Sequence, residues 1–149
     1  MSLPEREVLK RSMKILESIF KEWVNPERRN VSMHQNPRGQ WIRQGKKSES
    51  DIGGWICKGV YIGKALAIEV KRGEFRPSRV YGPDQARFKR QCDYLREINR
   101  KGGVGFWVND PRMIVHVLIP VLMHGARVNL DKNNCVTVTR MSTVKVVET

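Results

Sequence analysis

The sequence predicts a mixed α/β domain in the order helix, three strands, helix, strand, followed by a small helix-and-strand appendix. Three observations carry this. Two stretches, Pro4 to about Val24 and Pro83 to about Lys101, repeat their apolar residues at helical spacing. Between them the chain from Ile52 to Lys71 is apolar and broken by glycines, as short strands are. After the second helix, Val104 to Val108 alternates in a strand pattern. Helices and strands mixed along one chain make an α/β architecture rather than a bundle or a sandwich.

In the first helix Val8, Leu9, Ser12, Leu16, Ile19, Phe20 and Trp23 share a face, while Lys10, Arg11, Lys14 and Lys21 lie on another. Glu5 falls on the apolar side, where a carboxylate is costly unless paired or bound. Two readings of it stay open: Ser2-x-x-Glu5 fits a capping box, and an inward carboxylate also suits a site. Asn25-Pro26 is expected to end the helix. Val31 to Gln35 predicts a short strand and Asn36-Pro37-Arg38-Gly39 a turn. Trp41 then stands among Arg38, Arg43, Lys46 and Lys47. That mixture suits a nucleic-acid backbone, and equally a solvated loop around one tucked ring.

Trp55 to Gly63 predicts a hairpin of two short strands about Lys58-Gly59, and Gly63-Lys64 turns into a strand over Ala65 to Lys71. Arg72 to Arg79 is a basic loop with little core-forming content. Gly82-Pro83-Asp84-Gln85 marks a helix start. Phe88, Cys92 and Leu95 keep helical spacing after it, and Gly102-Gly103 is the expected stop. Met113 to Met123 is apolar on nearly every side and interrupted by Pro120, which predicts a buried helix bent or ended there. Cys135 to Thr139 and Thr143 to Val147 predict two late strands about a turn. The apolar tail from Met113 onward suits a dimer interface or the completion of the core.

A length of 149 residues suits one domain, spanning 1–149. With 28 Lys and Arg against 15 Asp and Glu, the net charge is +13. A surplus of that size favours a polyanionic partner, bound through phosphate contacts and counterion release; the plainer alternative is a generally basic surface. The three cysteines, Cys57, Cys92 and Cys135, are widely spaced and form no C-x-x-C. They fit neither a zinc ribbon nor a disulfide framework, and read as reduced thiols of a cytoplasmic protein. No apolar run reaches membrane-spanning length and no secretory leader is expected, so no membrane partner is anticipated.

The chemistry gathers in S50-D-I-G-G and A67-I-E-V-K71. Side chains alternate along a strand, so Leu66, Ile68 and Val70 face one way and Ala67, Glu69 and Lys71 the other. Glu69 and Lys71 thus emerge side by side at the end of a strand otherwise built for burial. Such a pair is either a plain ion pair or a metal ligand with an electrostatic helper. Asp51 lies at the entry of an earlier strand, where a hairpin brings it to Glu69. Two carboxylates and several waters are what Mg²⁺ takes, and a cation there suits phosphodiester hydrolysis. Lys71 suits charge stabilisation on the attacked phosphate, and Gln85, in the first turn of the next helix, suits a hydrogen bond to water or phosphate. Other nuclease patterns fit poorly. His34, His116 and His124 are scattered, unlike an HNH site, and Val60-Tyr61-Ile62-Gly63 is only half of a GIY-YIG motif.

S-D-I-G-G, A-I-E-V-K, D-Q-A-R-F and the closing G-G together resemble the VRR-NUC family of the PD-(D/E)XK nucleases, with similar elements in phage-encoded nucleases and Holliday-junction resolvases. The resemblance covers roughly residues 4–109 and leaves 110–149 as an extension. It departs from the pattern where Ser50 replaces the motif's proline. It implies a restriction-endonuclease-like αβββαβ core, with a mixed central sheet flanked by helices. It also implies catalytic roles for Asp51, Glu69, Lys71, Gln85 and Glu5. The implied metal is Mg²⁺ or Mn²⁺, held by Asp51, Glu69 and the Val70 carbonyl, with no small-molecule cofactor. The expected activity is endonucleolytic cleavage of DNA, branched or structured duplex above all, by a homodimer. Trp41, Arg43, Lys46, Lys47, Arg72, Arg76 and Arg79 are the expected DNA contacts, with Trp41 and Phe75 candidates for stacking on unpaired bases. The alternative is a basic DNA- or RNA-binding domain without catalysis. A pure binder, however, gains nothing from carboxylates set against phosphate.

Overall fold

Helix α1 (Glu5–Ser18) buries Val8, Leu9, Ser12 and Leu16, a stripe at the spacing of successive helical turns. It ends earlier than the sequence suggests. The chain turns after Ser18, buries Phe20, and enters strand β1 (Val24–Arg28). Pro26 therefore sits inside a strand. It is tolerated because β1 is a sheet edge, where a missing N–H costs no ladder bond. A hairpin of β2 (Ser32–Gln35) and β3 (Trp41–Gln44) follows. Next come β4 (Ile52–Ile56), β5 (Ala65–Val70), helix α2 (Pro83–Arg100) and β6 (Val104–Val108). The computed structural model describes residues 2–29, 32–35, 37–44 and 50–140, with the side chains of 32–35 and 41–44 excepted. Thr143 to Val147, expected as a strand, lies outside the described residues.

The central sheet runs β1-β4-β5-β6, antiparallel up to β5 and parallel between β5 and β6. This is a mixed sheet with helices on its two faces. On one face Ile52, Leu66, Ile68, Val104 and Phe106 join α1 and the later helix in the main core. On the other, Ala67 and Trp107 pack with Phe88, Cys92 and Leu95 of α2. β5 is buried on both faces, as expected for a strand between a parallel and an antiparallel neighbour. The hairpin expected within Trp55 to Gly63 is instead made by β4 and β5 themselves. Val60 and Ile62 lie in the connecting turn and are exposed; their apolar character made that turn resemble a strand.

The last third belongs to the core. α3 (Arg112–Leu118) continues as a single wide turn over Ile119–Met123, with Pro120 near its start. Ile114, Leu118 and Val121 are fully buried. β7 (Arg127–Leu130) pairs with β8 (Val136–Thr139) and sends Val128 and Leu130 inward. Arg96 of α2 donates to the Asp131 carbonyl (2.7 Å) and to Asn134 Oδ1 (2.6 Å), and Trp107 Nε1 donates to the Asn134 carbonyl (2.7 Å). Of the two roles open to this tail, it fills that of core. Among the described residues no helix is long and apolar enough to cross a membrane.

Candidate active site

Register brings the carboxylates together. Ile52 stands opposite Ile68, so one step further sets Asp51 opposite Glu69. Both project on the α2 face, which Ala67 shares two residues before Glu69. Asp51 Oδ2 accepts the Val70 N–H at 2.8 Å, which anchors the aspartate at the strand end. Its own carbonyl accepts the Arg29 N–H at 2.7 Å, tying the same residue to β1. Glu69 is 5% exposed and Lys71 8%, depths at which charged groups need partners.

Gln91 of α2 supplies that partnership. Its Oε1 accepts from Lys71 Nζ at 2.6 Å, and its Nε2 donates to Glu69 Oε1 at 2.9 Å. One amide thus bridges the acid and the base and orients both. Lys71 Nζ also lies 4.0 Å from Glu69 Oε1 and 5.3 Å from the ring centroids of Phe75 and Phe88. Phe75, a candidate for stacking on bases, packs instead edge-on against Phe88 and Trp107, forming an aromatic floor under the lysine.

The sequence pointed to Gln85, and the structure places it elsewhere. Gln85 is exposed, and it is not among the residues that line the cleft over Lys71. At ~3.6 residues per turn, Gln85 and Gln91 lie on opposite sides of Phe88, and Asp84, Arg87 and Gln91 share the cleft side. A signal for Gln91 exists in the sequence: it is an amide one turn from both Phe88 and Leu95, on the edge of an apolar stripe.

Glu5 does reach the cleft. The capping box does not form, because Ser2 Oγ donates to Glu74 Oε1 (2.7 Å) and no side chain caps α1. The Glu5 carboxyl is pushed above its ordinary pKa, first by desolvation and then by the nearby Asp51, with Lys71, Arg87 and Arg72 opposing. Glu69 is pushed up to about 9, first by burial and then by the charge of Asp51 and a hydrogen bond shared with it. Glu69 so placed retains its proton at neutral pH unless a cation replaces it. Among the described residues no group of three or more His, Cys, Asp or Glu side chains is set to hold a metal. Two carboxylates that meet at one strand end fit a hard cation that keeps most of its waters, which is the habit of Mg²⁺.

The cleft over Lys71 and Gln91 has a volume of about 670 Å³; Glu5 lines it, whereas Asp51 and Glu69 are not among its lining residues and meet it through Lys71 and Gln91. Arg72, Arg76 and Arg79 line it, as does Arg87, a cation the sequence did not single out; Glu74 and Asp84 are also on its wall. Trp41 and Arg43 fall on β3, where side chains are not described, and Lys46 and Lys47 lie outside the described residues.

The Gly53-Gly54 pair that follows Asp51 is strand, not turn. At Gly54 a Cβ would lie 2.1 Å from the Asn25 carbonyl oxygen of β1, and φ is +136°. At Gly53 it would lie 2.3 Å from Cζ of Arg29, whose guanidinium crosses that position. The glycines let β1 and its arginine close against the strand that presents Asp51. Compared with known proteins, the chain matches no family model, no curated protein and no solved structure.

Proposed function

We propose that the protein is a Mg²⁺- or Mn²⁺-dependent endonuclease that hydrolyses phosphodiester bonds of DNA, with branched or structured duplex as substrate. The observation that carries the reading is the meeting of Asp51, Glu69 and Lys71 at one strand end, with Gln91 bridging Glu69 and Lys71, beside a cleft that Lys71, Gln91 and four arginines line. Asp51 and Glu69 would hold the cation, with the Val70 carbonyl as a further ligand. When bound, the cation supplies Lewis acidity, which lowers the pKa of a water and offsets charge on the phosphate.

The chain's own residues do the rest. Lys71 presents its ammonium to the non-bridging oxygens of the attacked phosphate, where negative charge grows as the water oxygen bonds to phosphorus and the leaving oxygen departs. Its position is set by Gln91 and by the rings of Phe75 and Phe88. Arg72, Arg76, Arg79 and Arg87 grip the sugar–phosphate backbone. Glu5 adds a third carboxyl at the cleft mouth, where its charge holds protons or waters near the pair.

The test is incubation of labelled linear, flap and four-way-junction DNA with the protein, with Mg²⁺ or with EDTA. Cleavage is expected with Mg²⁺ only, and Glu69→Ala and Lys71→Ala should each abolish it. Tight binding without metal-dependent cleavage of any substrate points instead to a non-catalytic nucleic-acid-binding domain. Cleavage that survives both substitutions removes the site assignment.

A further inference from the structure

We infer that a second basic groove, sharing Arg76 with the cleft over Lys71, holds the phosphodiester backbone of the substrate strand as it runs out of the site. The inference rests on the nucleic-acid reading above but does not depend on catalysis. The groove has a volume of about 740 Å³ and lies between α1 and the start of α3. Among the described residues its cations are Arg11, Lys14, Arg76 and Arg112, and its one acid is Asp110. Asp110 is already spent on Arg112, which it accepts at 2.7 Å. Arg11 pairs with Glu7 at 3.1 Å yet keeps its side chain 57% exposed. Lys14 makes no ion pair among the described residues, so its charge is available to a ligand.

Two features make the groove an extension of the cleft. Arg76 lines both cavities. Helix α1 also runs from one to the other, giving Glu5 to the cleft from its first turn and Arg11 and Lys14 to the groove from later turns. At ~1.5 Å rise per residue, Glu5 and Lys14 stand about 14 Å apart along the axis, roughly four nucleotide steps at ~3.4 Å each. A single strand therefore reaches both.

The chemistry of the lining also selects the ligand. Leu3 and Ile15 contribute an apolar wall, and among the described residues no aromatic ring lines the groove. Without a stacking platform it does not grip bases, so it reads phosphate and sugar without regard to sequence. A groove of this kind supplies register and affinity while the site beside Lys71 supplies chemistry.

The experiment is fluorescence anisotropy with a fluorescein-labelled 30-base-pair duplex in EDTA, across a KCl series. Lys14→Ala should lower the magnitude of the log Kd against log salt slope by about one, the signature of one lost phosphate contact. Lys14→Glu should weaken binding at least tenfold at 0.1 M KCl. The control is Lys132→Glu, an equal charge change at an exposed residue that lines neither cavity; it should weaken binding far less. Equal losses for Lys14→Glu and Lys132→Glu would overturn the inference, since only the overall field would then matter. The readout needs no turnover, so lack of Mg²⁺-dependent cleavage removes the nuclease reading without touching this result.

Discussion

A carboxyl that stays protonated to about pH 9 in the fold ties stability to pH with a definite sign. Glu69 is raised from an ordinary 4.5 by burial and by Asp51, so between those values the native state holds a proton that the unfolded chain has released. Stability is then greatest below pH 4.5 and is lost as pH rises through about 9. In EDTA, thermal unfolding should show that loss, and Glu69→Gln, which mimics the protonated acid, should flatten it. Mg²⁺ should raise the unfolding temperature more at pH 8 than at pH 5, because the cation displaces the proton. An unchanged pH slope in Glu69→Gln would mean that Glu69 is not the titrating group. Gln91 gives the second test at this scale. It holds Lys71 and Glu69 in place, so Gln91→Ala should lower the cleavage rate about 10- to 100-fold, the range for groups that orient a metal site. Gln85→Ala should leave the rate unchanged. Asp51, Glu69 and Lys71 were legible in the sequence because strand alternation and hairpin pairing are short-range rules. Choosing Gln91 over Gln85 required the helix phase relative to the sheet, which is a tertiary quantity.

At the scale of elements, the pairing of β1 with β4 sets Asp51 in place, and it depends on two glycines for different reasons. A methyl group at Gly54 meets backbone, the Asn25 carbonyl, and adopts a φ that L residues resist. Gly54→Ala should therefore destabilise the fold by on the order of 3 kcal/mol. At Gly53 the obstacle is the far end of a flexible arginine, which can swing aside, so Gly53→Ala should cost only about 1 kcal/mol. Urea unfolding of the two variants checks the order; equal costs would show that β1 does not close on β4 as described. The same region marks where sequence reading ends. Asn25-Pro26 is a sound helix stop by sequence, but α1 ends at Ser18 and the pair lies within β1; a strand edge accepts proline too, and nothing local distinguishes the two. Likewise, Val60 and Ile62 read as strand by composition, whereas Gly59 and Gly63, both at positive φ, bend that stretch into the turn between β4 and β5. The helix over Pro83–Arg100 was legible to within a residue, because its proline start, apolar stripe and glycine stop all agree.

For the whole molecule, the question is where the folding unit ends. The motif-bearing part stops near Asn109, and the sequence left the remainder as an extension that either forms an interface or completes the core. Its residues are interior, the second of those readings: Ile114, Val117, Leu118, Val121 and Leu122 are buried with α1 and the sheet, and Leu130 closes on the α2 side. Five such side chains, at roughly 2 kcal/mol each, contribute about 10 kcal/mol, comparable to the whole net stability of an ordinary domain. Arg96 and Trp107 add hydrogen bonds that fix the β7–β8 turn against α2 and β6. A chain ended after Asn109 should therefore lack a cooperative unfolding transition by circular dichroism, although it keeps Asp51, Glu69, Lys71 and Gln91. The reason is the sheet's α1 face: without α3 and the turn after it, Leu16, Phe20 and Phe106 lose the apolar surface they pack on. A shortened chain that still unfolds cooperatively would locate the folding unit within 1–109 and make the tail an accessory. A loss of cooperativity, reversed in the full chain, would show that the acidic pair is held in place by residues that carry none of its chemistry.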